Sequence, residues 1–246
     1  MTIQKLFSLQ GKRALITGSS RGIGRAIAKS FSEAGAEVIV HGSRSSAQLD
    51  SIAEELHAEK RTANLGNLDE VADLIKNCSA PDILVMNASM QSYIEVQDFN
   101  YEEFEKEYRV NLAANFEFIK AWVPSMQQKK WGRLLAIGSI NGIRPAARLS
   151  IYGTTKAAFA NLIYNCAKQY SHYGITANTI IPGVITTDRN TEILKNKEIV
   201  HKLLDIIPAH TFGNAEDITG AALLLCSNAG RYITGANINI TGGMEL

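Results

Sequence analysis

Tyr152 and Lys156 stand four residues apart in Ile151–Tyr170, where apolar spacing predicts a helix. Residues i and i+4 of a helix share one face, one turn apart, so a phenol and an ammonium would meet there. The cation stabilises phenolate, and a tyrosine so placed can exchange a proton near neutral pH. Spacing alone does not make this pair a site. Tyr164 and Lys168 repeat it twelve residues further on. At about 100° per residue the two pairs are turned by roughly 120°, onto different faces. Only Tyr152 has a hydroxyl companion, Ser139, thirteen residues earlier, at the end of a strand predicted over Leu134–Ile137. The residue thirteen before Tyr164 is Ile151. Tyr164 and Lys168 are therefore expected at the core edge and the surface.

The elements that must hold these residues alternate. Strands are expected at Arg13–Thr17, Val38–Val40, Arg61–Leu65, Ile83–Met86, Leu134–Ile137, Ile175–Ile181 and Ala236–Ile240. Between them helices are expected at Gly22–Ala34, Ala47–Ala58, Leu68–Lys76, Phe104–Met126 and Ile151–Tyr170, with a helical excursion over Thr186–Pro208 and a shorter helix at Asp217–Ser227. Apolar strands alternating with helices predict an α/β fold: a Rossmann-like, doubly wound parallel sheet of about seven strands, in a single domain spanning 1–246. Ligands of such sheets bind beyond the carboxyl ends of the strands, where Ser139 and Tyr152 fall.

A glycine-rich turn, Thr17-Gly18-Ser19-Ser20-Arg21-Gly22-Ile23-Gly24, joins the first strand to the first helix. Glycines let the backbone turn tightly and approach a pyrophosphate, and the helix N-terminus supplies free N–H groups. The second strand ends in His41-Gly42-Ser43-Arg44 with no acidic residue between Val38 and Ser46. An NAD enzyme usually places a carboxylate there for the ribose hydroxyls. Arg44 and Arg21 suit a 2′-phosphate instead, so NADP(H) is expected as the preferred cofactor over NAD(H).

Lys and Arg number 25 and Asp and Glu 24, a net charge of +1, which gives no electrostatic footprint for nucleic acid or an anionic membrane. Cys78, Cys166 and Cys226 have no disulfide spacing and read as buried thiols of a cytoplasmic protein. Met1–Gln10 is too short for a signal peptide, and apolar runs are too short to span a membrane. His201 and His210 stand isolated, so no metal site is expected.

From Gly11 to Gly243 the chain resembles the short-chain dehydrogenase/reductase family. The likeness rests on the Gly18/Gly22/Gly24 turn, Asn87-Ala88, Asn111, Ser139, Tyr152, Lys156 and Pro182-Gly183, in matching order and spacing. It implies that Tyr152 is the general acid for carbonyl reduction and the base for alcohol oxidation. Ser139 would hold the substrate oxygen, Lys156 the nicotinamide ribose, and Asn111 a water leading to solvent. The cofactor would lie on Gly18, Ser20, Arg21, Gly22, Ile23, Gly24, Ser43, Arg44, Asn64, Leu65, Asn87, Ala88 and Ser89. Tyr152, Lys156, Pro182, Gly183, Val184, Ile185 and Thr187 would complete its site. Four positions depart from the family pattern: Asn64 and Thr241 each replace an Asp, and Met86 and Ser89 flank Asn87-Ala88 where Asn and Gly are usual.

Thr186–Phe212 would form a substrate lid, with Arg189, Lys195, Lys197, His201 and Lys202 as a solvated face or an attraction for an anionic substrate. The chain is similar to 3-oxoacyl-[acyl-carrier-protein] reductases, which receive an acidic carrier on basic residues near the active-site entrance. Lys130 matches one such position, whereas Tyr173 stands at the second. The opening Leu6–Lys12 is also similar to gluconate and related sugar dehydrogenases. A small-molecule or acyl-thioester substrate is thus expected. A non-catalytic NADP sensor or interaction protein on the same fold is the alternative of another class. The family implies a homotetramer or homodimer through Phe104–Met126 and Ile151–Tyr170. Phe116, Phe118, Ile119, Trp122, Phe159 and Leu162 there suit either an interface or packing on the sheet.

Overall fold

The computed structural model describes residues 2–246, except the side chains at 189, 192 and 193. Arg189 of the expected lid therefore lies, in its side chain, outside the described residues. The strands are β1 (Arg13–Ile16), β2 (Glu37–Gly42), β3 (Glu59–Thr62), β4 (Ile83–Met86), β5 (Gly132–Ile137), β6 (Ile175–Pro182), β7 (Ile185–Thr186), β8 (Gly213–Asn214) and β9 (Asn237–Ile240). The helices are α1 (Ile3–Phe7), α2 (Gly22–Glu33), α3 (Ala47–Leu56), α4 (Leu68–Asn77), α5 (Tyr101–Tyr108), α6 (Ala114–Lys129), α7 (Ser150–Tyr170), α8 (Thr191–Lys195), α9 (Lys197–Asp205) and α10 (Thr219–Cys226).

Seven strands form one parallel sheet in the order β3-β2-β1-β4-β5-β6-β9, the expected doubly wound fold. The chain winds outward from β1 to β3, returns to β4 beside β1, and winds the other way. That reversal opens a crevice at the carboxyl ends of β1 and β4. The register pairs Ile16 with Val40 and with Val85, so Thr17, His41 and Met86 reach the crevice in one row. Buried aliphatics on both faces explain why β1, β4 and β5 read as apolar runs. On one face Leu15, Ile39, Leu84 and Leu134 meet Phe118 and Trp122 of α6 and Phe159 of α7. On the other, Ile16, Val40 and Val85 meet Ile27 and Phe31 of α2 and Leu225 of α10. Phe118, Ile119, Trp122 and Phe159 are thus core residues, which leaves Phe116 exposed and Leu162 half-buried.

Several boundaries differ from the sequence expectation. The third strand is Glu59–Thr62, two residues before Arg61–Leu65. It is an edge strand whose charged side chains form ion pairs, Lys60 with Asp50 and Arg61 with Glu59, so an apolar pattern could not mark it. The long helix begins at Tyr101 and carries a π-helical turn, Arg109–Ala113, between α5 and α6. Such a turn inserts a residue without changing composition, so periodicity does not reveal it; π-turns concentrate at functional sites. The excursion over Thr186–Pro208 splits into α8 and α9, and Asp217–Ser227 into a 3-10 turn and α10. Helix α1 was not foreseen. All three cysteines are buried and unpaired. Among the described residues no helix is long and apolar enough to cross a membrane.

Candidate functional site

A cavity of about 950 Å³ runs along the carboxyl ends of the strands. At one end it is walled by Gly18, Ser20, Arg21, Gly22, Ile23, Ser43, Asn64 and Leu65. Asn87, Ala88, Ser89, Pro182, Gly183, Val184, Ile185 and Thr187 line its middle, and Ser139, Tyr152 and Lys156 face it. Three expected site residues do not line it. Gly24 is buried behind the turn on α2, Arg44 is exposed beyond the end of β2, and Asn111 is buried behind the wall. A shallower hollow of about 340 Å³ at Phe99, Asn100, Tyr101 and Phe104 lacks this grouping of residues.

The glycine turn has the shape expected of it. Gly18 sits at φ +65°, and a Cβ there would lie 3.0 Å from the Ala88 Cα. Thr17 and Asn87 tie the turn to β4: the Thr17 hydroxyl accepts from the Asn87 and Ala88 N–H groups at 2.9 and 3.0 Å. The Asn87 amide donates to the Thr17 and Gly18 carbonyls. Arg21 caps α2 with extended backbone and no side-chain hydrogen bond, so the first N–H groups of α2 keep their capacity for an anion. Neither Arg21 nor Arg44 has a carboxylate within ion-pair distance among the described residues. Asn64 spends one lone pair of Oδ1 on the Gly66 N–H at 3.0 Å. Thr241, the other replaced Asp, accepts from Gly243 and donates to Glu245, bracing the chain end beside Gly183.

At the chemical end, α7 and the end of β5 bring Tyr152, Lys156 and Ser139 to one wall. Tyr152 is 6% exposed and Lys156 3% exposed. The Lys156 Nζ donates to the Ile137 carbonyl at 2.7 Å and lies 5.6 Å from the centroid of the Tyr152 ring. Gly153 lets α7 approach this closely: a Cβ there would meet the Asn141 carbonyl at 2.6 Å. Ser139 Oγ accepts from the Asn141 backbone N–H at 3.2 Å and from its amide at 3.4 Å. In both bonds the Ser139 oxygen is the acceptor, so its hydroxyl proton stays available to donate. Tyr164, by contrast, is 41% exposed, and Lys168 is exposed.

Asn111, in the π-turn, is tied on three sides. Its Oδ1 accepts from Met90 N–H at 2.8 Å, and its amide donates to the Met90 carbonyl and to Thr155 Oγ1. Thr155 in turn donates to the Tyr152 carbonyl at 2.8 Å. Glu107 and Glu103, one and two turns earlier, hold the same loop: the Ser92 N–H donates to Glu107 and the Ser92 hydroxyl to Glu103. Burial pushes the Glu107 carboxyl above the usual range, opposed by the Ser92 N–H. Sequence reasoning passed over Glu107 because a carboxylate on a polar helix reads as solvated. His41 carries no signal in the sequence either, since a lone histidine makes no motif; it lines the cavity beside Gly18.

Beyond Tyr152 the cavity is lined by Met90, Tyr93, Ile140, Leu149, Ile199, Leu203 and Met244, with Gln91, Asn141, Arg148 and Asp188 as polar members. Helix α9 turns Ile199 and Leu203 inward. Its cations face solvent, with Lys202 paired to Glu198 at 2.6 Å and His201 3.6 Å from Asp205. Lys130 and Tyr173 precede β5 and β6, at the amino ends of the strands, so within one chain they lie on the edge away from this cavity. The expected placement at the entrance is corrected accordingly.

The model for "Enoyl-(Acyl carrier protein) reductase" matches residues 18–245. A 3-oxoacyl-[acyl-carrier-protein] reductase FabG of Rickettsia prowazekii is 34% identical, over 98% of this chain and all of that one. A gluconate 5-dehydrogenase of Gluconobacter oxydans is 30% identical, over 100% of this chain and 99% of that one. Among solved structures, a 3-oxoacyl (acyl-carrier-protein) reductase from Agrobacterium tumefaciens with NADP bound superposes with a TM-score of 0.94 at 34% identity, covering 99% and 98% of the two chains. With the strand order, the glycine turn and the Ser139–Tyr152–Lys156 wall in place, the chain belongs to the short-chain dehydrogenase/reductase family of oxidoreductases.

Proposed function

We propose that this protein moves a hydride between NADP(H) and a carbonyl or alcohol substrate, with Tyr152 as acid and base. The carrying observation is the burial of Tyr152 and Lys156, beside half-buried Ser139, on one wall of a cavity whose other end is a glycine turn. The cofactor fits that cavity: the close approach of Gly18 to Ala88 and the uncapped start of α2 form a cradle for a pyrophosphate. Arg21, with Arg44 swinging in from beyond β2, suits a 2′-phosphate, so NADP(H) is favoured over NAD(H). Gly18, Ser20, Gly22, Ile23, Asn64, Leu65, Asn87 and Ala88 would hold the nucleotide, and Val184, Ile185 and Thr187 the nicotinamide side. Bound nicotinamide supplies or accepts the hydride.

The chain's own residues do the rest. Ser139 donates a hydrogen bond to the substrate oxygen and stabilises the charge that develops there. Tyr152 gives that oxygen a proton in reduction and takes it in oxidation. Lys156, anchored on the Ile137 carbonyl beside the Tyr152 ring, would hold the nicotinamide ribose. Asn111 holds the loop at Met90 and, through Thr155, the helix turn at Tyr152. Residues 186–212 act as a lid whose inner face is Ile199 and Leu203.

The apolar side chains of Met90, Ile140, Ile199, Leu203 and Met244 beyond Tyr152 suit the acyl chain of a 3-oxoacyl thioester, while Gln91, Asn141, Arg148 and Asp188 on the same lining suit a sugar acid as the second reading. Initial rates with NADPH and acetoacetyl thioester, set against NADP⁺ with gluconate, test this. Thioester reduction alone supports the reading, gluconate oxidation alone replaces the substrate, and no turnover with either, across a wider ketone screen, favours a non-catalytic NADP sensor. The exposed aromatics Tyr101, Phe104, Phe116 and Tyr164 on α5, α6 and α7 suit a homodimer or homotetramer through these helices, which light scattering measures directly. Three buried, unpaired thiols suit a cytoplasmic location.

A further inference from the structure

Of the five histidines, His41 is the one that is buried, at 1% exposed. Its neighbours in β2, Val38, Ile39 and Val40, are aliphatic, and an aliphatic side chain would fill this slot without polar atoms to satisfy. The imidazole is fully used. Its Nδ1 accepts from the Gly18 N–H at 3.2 Å. Its Nε2–H donates to the Ala63 carbonyl at 3.1 Å. An amide N–H only donates and a carbonyl only accepts, so these partners fix the tautomer with its proton on Nε2. Burial holds the ring's pKa down at about 4, so it is uncharged at neutral pH and matches both partners. The main chain adds two bonds of 2.9 Å: His41 N–H to the Ser19 hydroxyl, and Ser19 N–H to the His41 carbonyl.

One ring thereby bridges the turn after β1 and the end of β3, across β2. Gly18, like Gly22, is a left-handed residue of the turn, and Ala63 leads directly into Asn64 and Leu65. Gly18, Asn64 and Leu65 are opposite walls of the same end of the cavity. We infer that His41 is a positioning residue for the adenosine half of the cofactor: its imidazole sets the separation between the Gly18 turn and the Asn64–Leu65 wall. The inference rests on the NADP(H) reading above.

The test titrates wild type and three variants with NADPH by its fluorescence and with 2′,5′-ADP, the adenosine half alone, by competition. Thermal unfolding is followed in parallel. His41→Leu removes both ring bonds. His41→Asn keeps an acceptor near Nδ1 for Gly18, and His41→Gln keeps a donor near Nε2 for Ala63. Loss of two hydrogen bonds should raise Kd roughly tenfold in His41→Leu, for NADPH and 2′,5′-ADP alike, with Asn and Gln between it and wild type. The emission of saturated, bound NADPH reports the nicotinamide end and should not change. A residue serving only the fold would lower the unfolding midpoint and leave both affinities at wild-type values. A folded His41→Leu protein with wild-type affinity for both ligands overturns the inference, as does an altered bound emission. If His41→Leu does not fold, wild-type affinity in both Asn and Gln variants overturns it equally. Wild-type protein that binds neither ligand overturns the cofactor reading and this inference together; wild-type binding with unchanged variants overturns this inference alone.

Discussion

Helix α7 carries the same four-residue spacing of tyrosine and lysine twice, and the two copies have opposite surroundings. Tyr152 and Lys156 are buried against the end of β5, with the Lys156 ammonium on the Ile137 carbonyl. Tyr164 and Lys168 are exposed. Nothing within either pair distinguishes them. The difference lies in what surrounds them: one pair shares a cavity wall with Ser139, and the other is exposed. A titratable pair becomes a candidate site when burial removes water and the fold supplies partners that favour one protonation state.

The strongest way to break the comparison is to treat both pairs alike. Tyr152→Phe should lower turnover on the order of 10³-fold with NADPH affinity little changed, while Tyr164→Phe should stay within about twofold. Steady-state rates beside fluorescence titration check both, and equal effects would dissolve the contrast. Ser139→Ala probes the feature that separates the pairs. It should cost on the order of 10² in turnover, the usual consequence of losing one donor to a developing oxyanion. A loss confined to KM would assign Ser139 to ground-state binding instead.

The contrast between buried and exposed groups extends to the histidines. His41 titrates near 4 in the folded protein against 6.5 for a free imidazole. The unfolded chain therefore binds the proton more tightly, and stability falls as pH drops from about 6.5 to about 4. The full loss is ~3 kcal/mol by linkage. Denaturant unfolding of wild type and His41→Asn at pH 7 and pH 4.5 measures it, and the pH-dependent difference should shrink in the variant. The smallest effect is at the second pair itself: Lys168→Met should change stability by no more than about 0.5 kcal/mol, as surface substitutions do.

Much of this was legible in the chain because its signals are local. The Gly18–Gly24 turn, the apolar run Ile83–Met86 and the helical period of Ile151–Tyr170 each act within one element, and the sheet followed from their alternation. The third strand was misplaced because an edge strand needs charged residues outward, which erases the apolar pattern. The π-turn at Arg109–Ala113 was invisible because it changes hydrogen bonding and not composition. Glu107 and His41 were missed for a shared reason. Each is a single polar residue whose meaning comes from partners distant in sequence: Ser92 for Glu107, and Gly18 and Ala63 for His41.

The sequence by itself determined the fold class, the turn at Gly18–Gly24 and the separation of Tyr152 and Tyr164 onto different faces of α7, because helix period and motif spacing are properties of the local chain. Tertiary structure alone decided which groups are buried and what they touch. It set the three-way tie of Asn111, turned Ile199 and Leu203 rather than Lys202 of α9 toward the cavity, and placed the His41 ring between two walls. Those contacts depend on the register of neighbouring strands and the packing of helices on them, which no local pattern encodes.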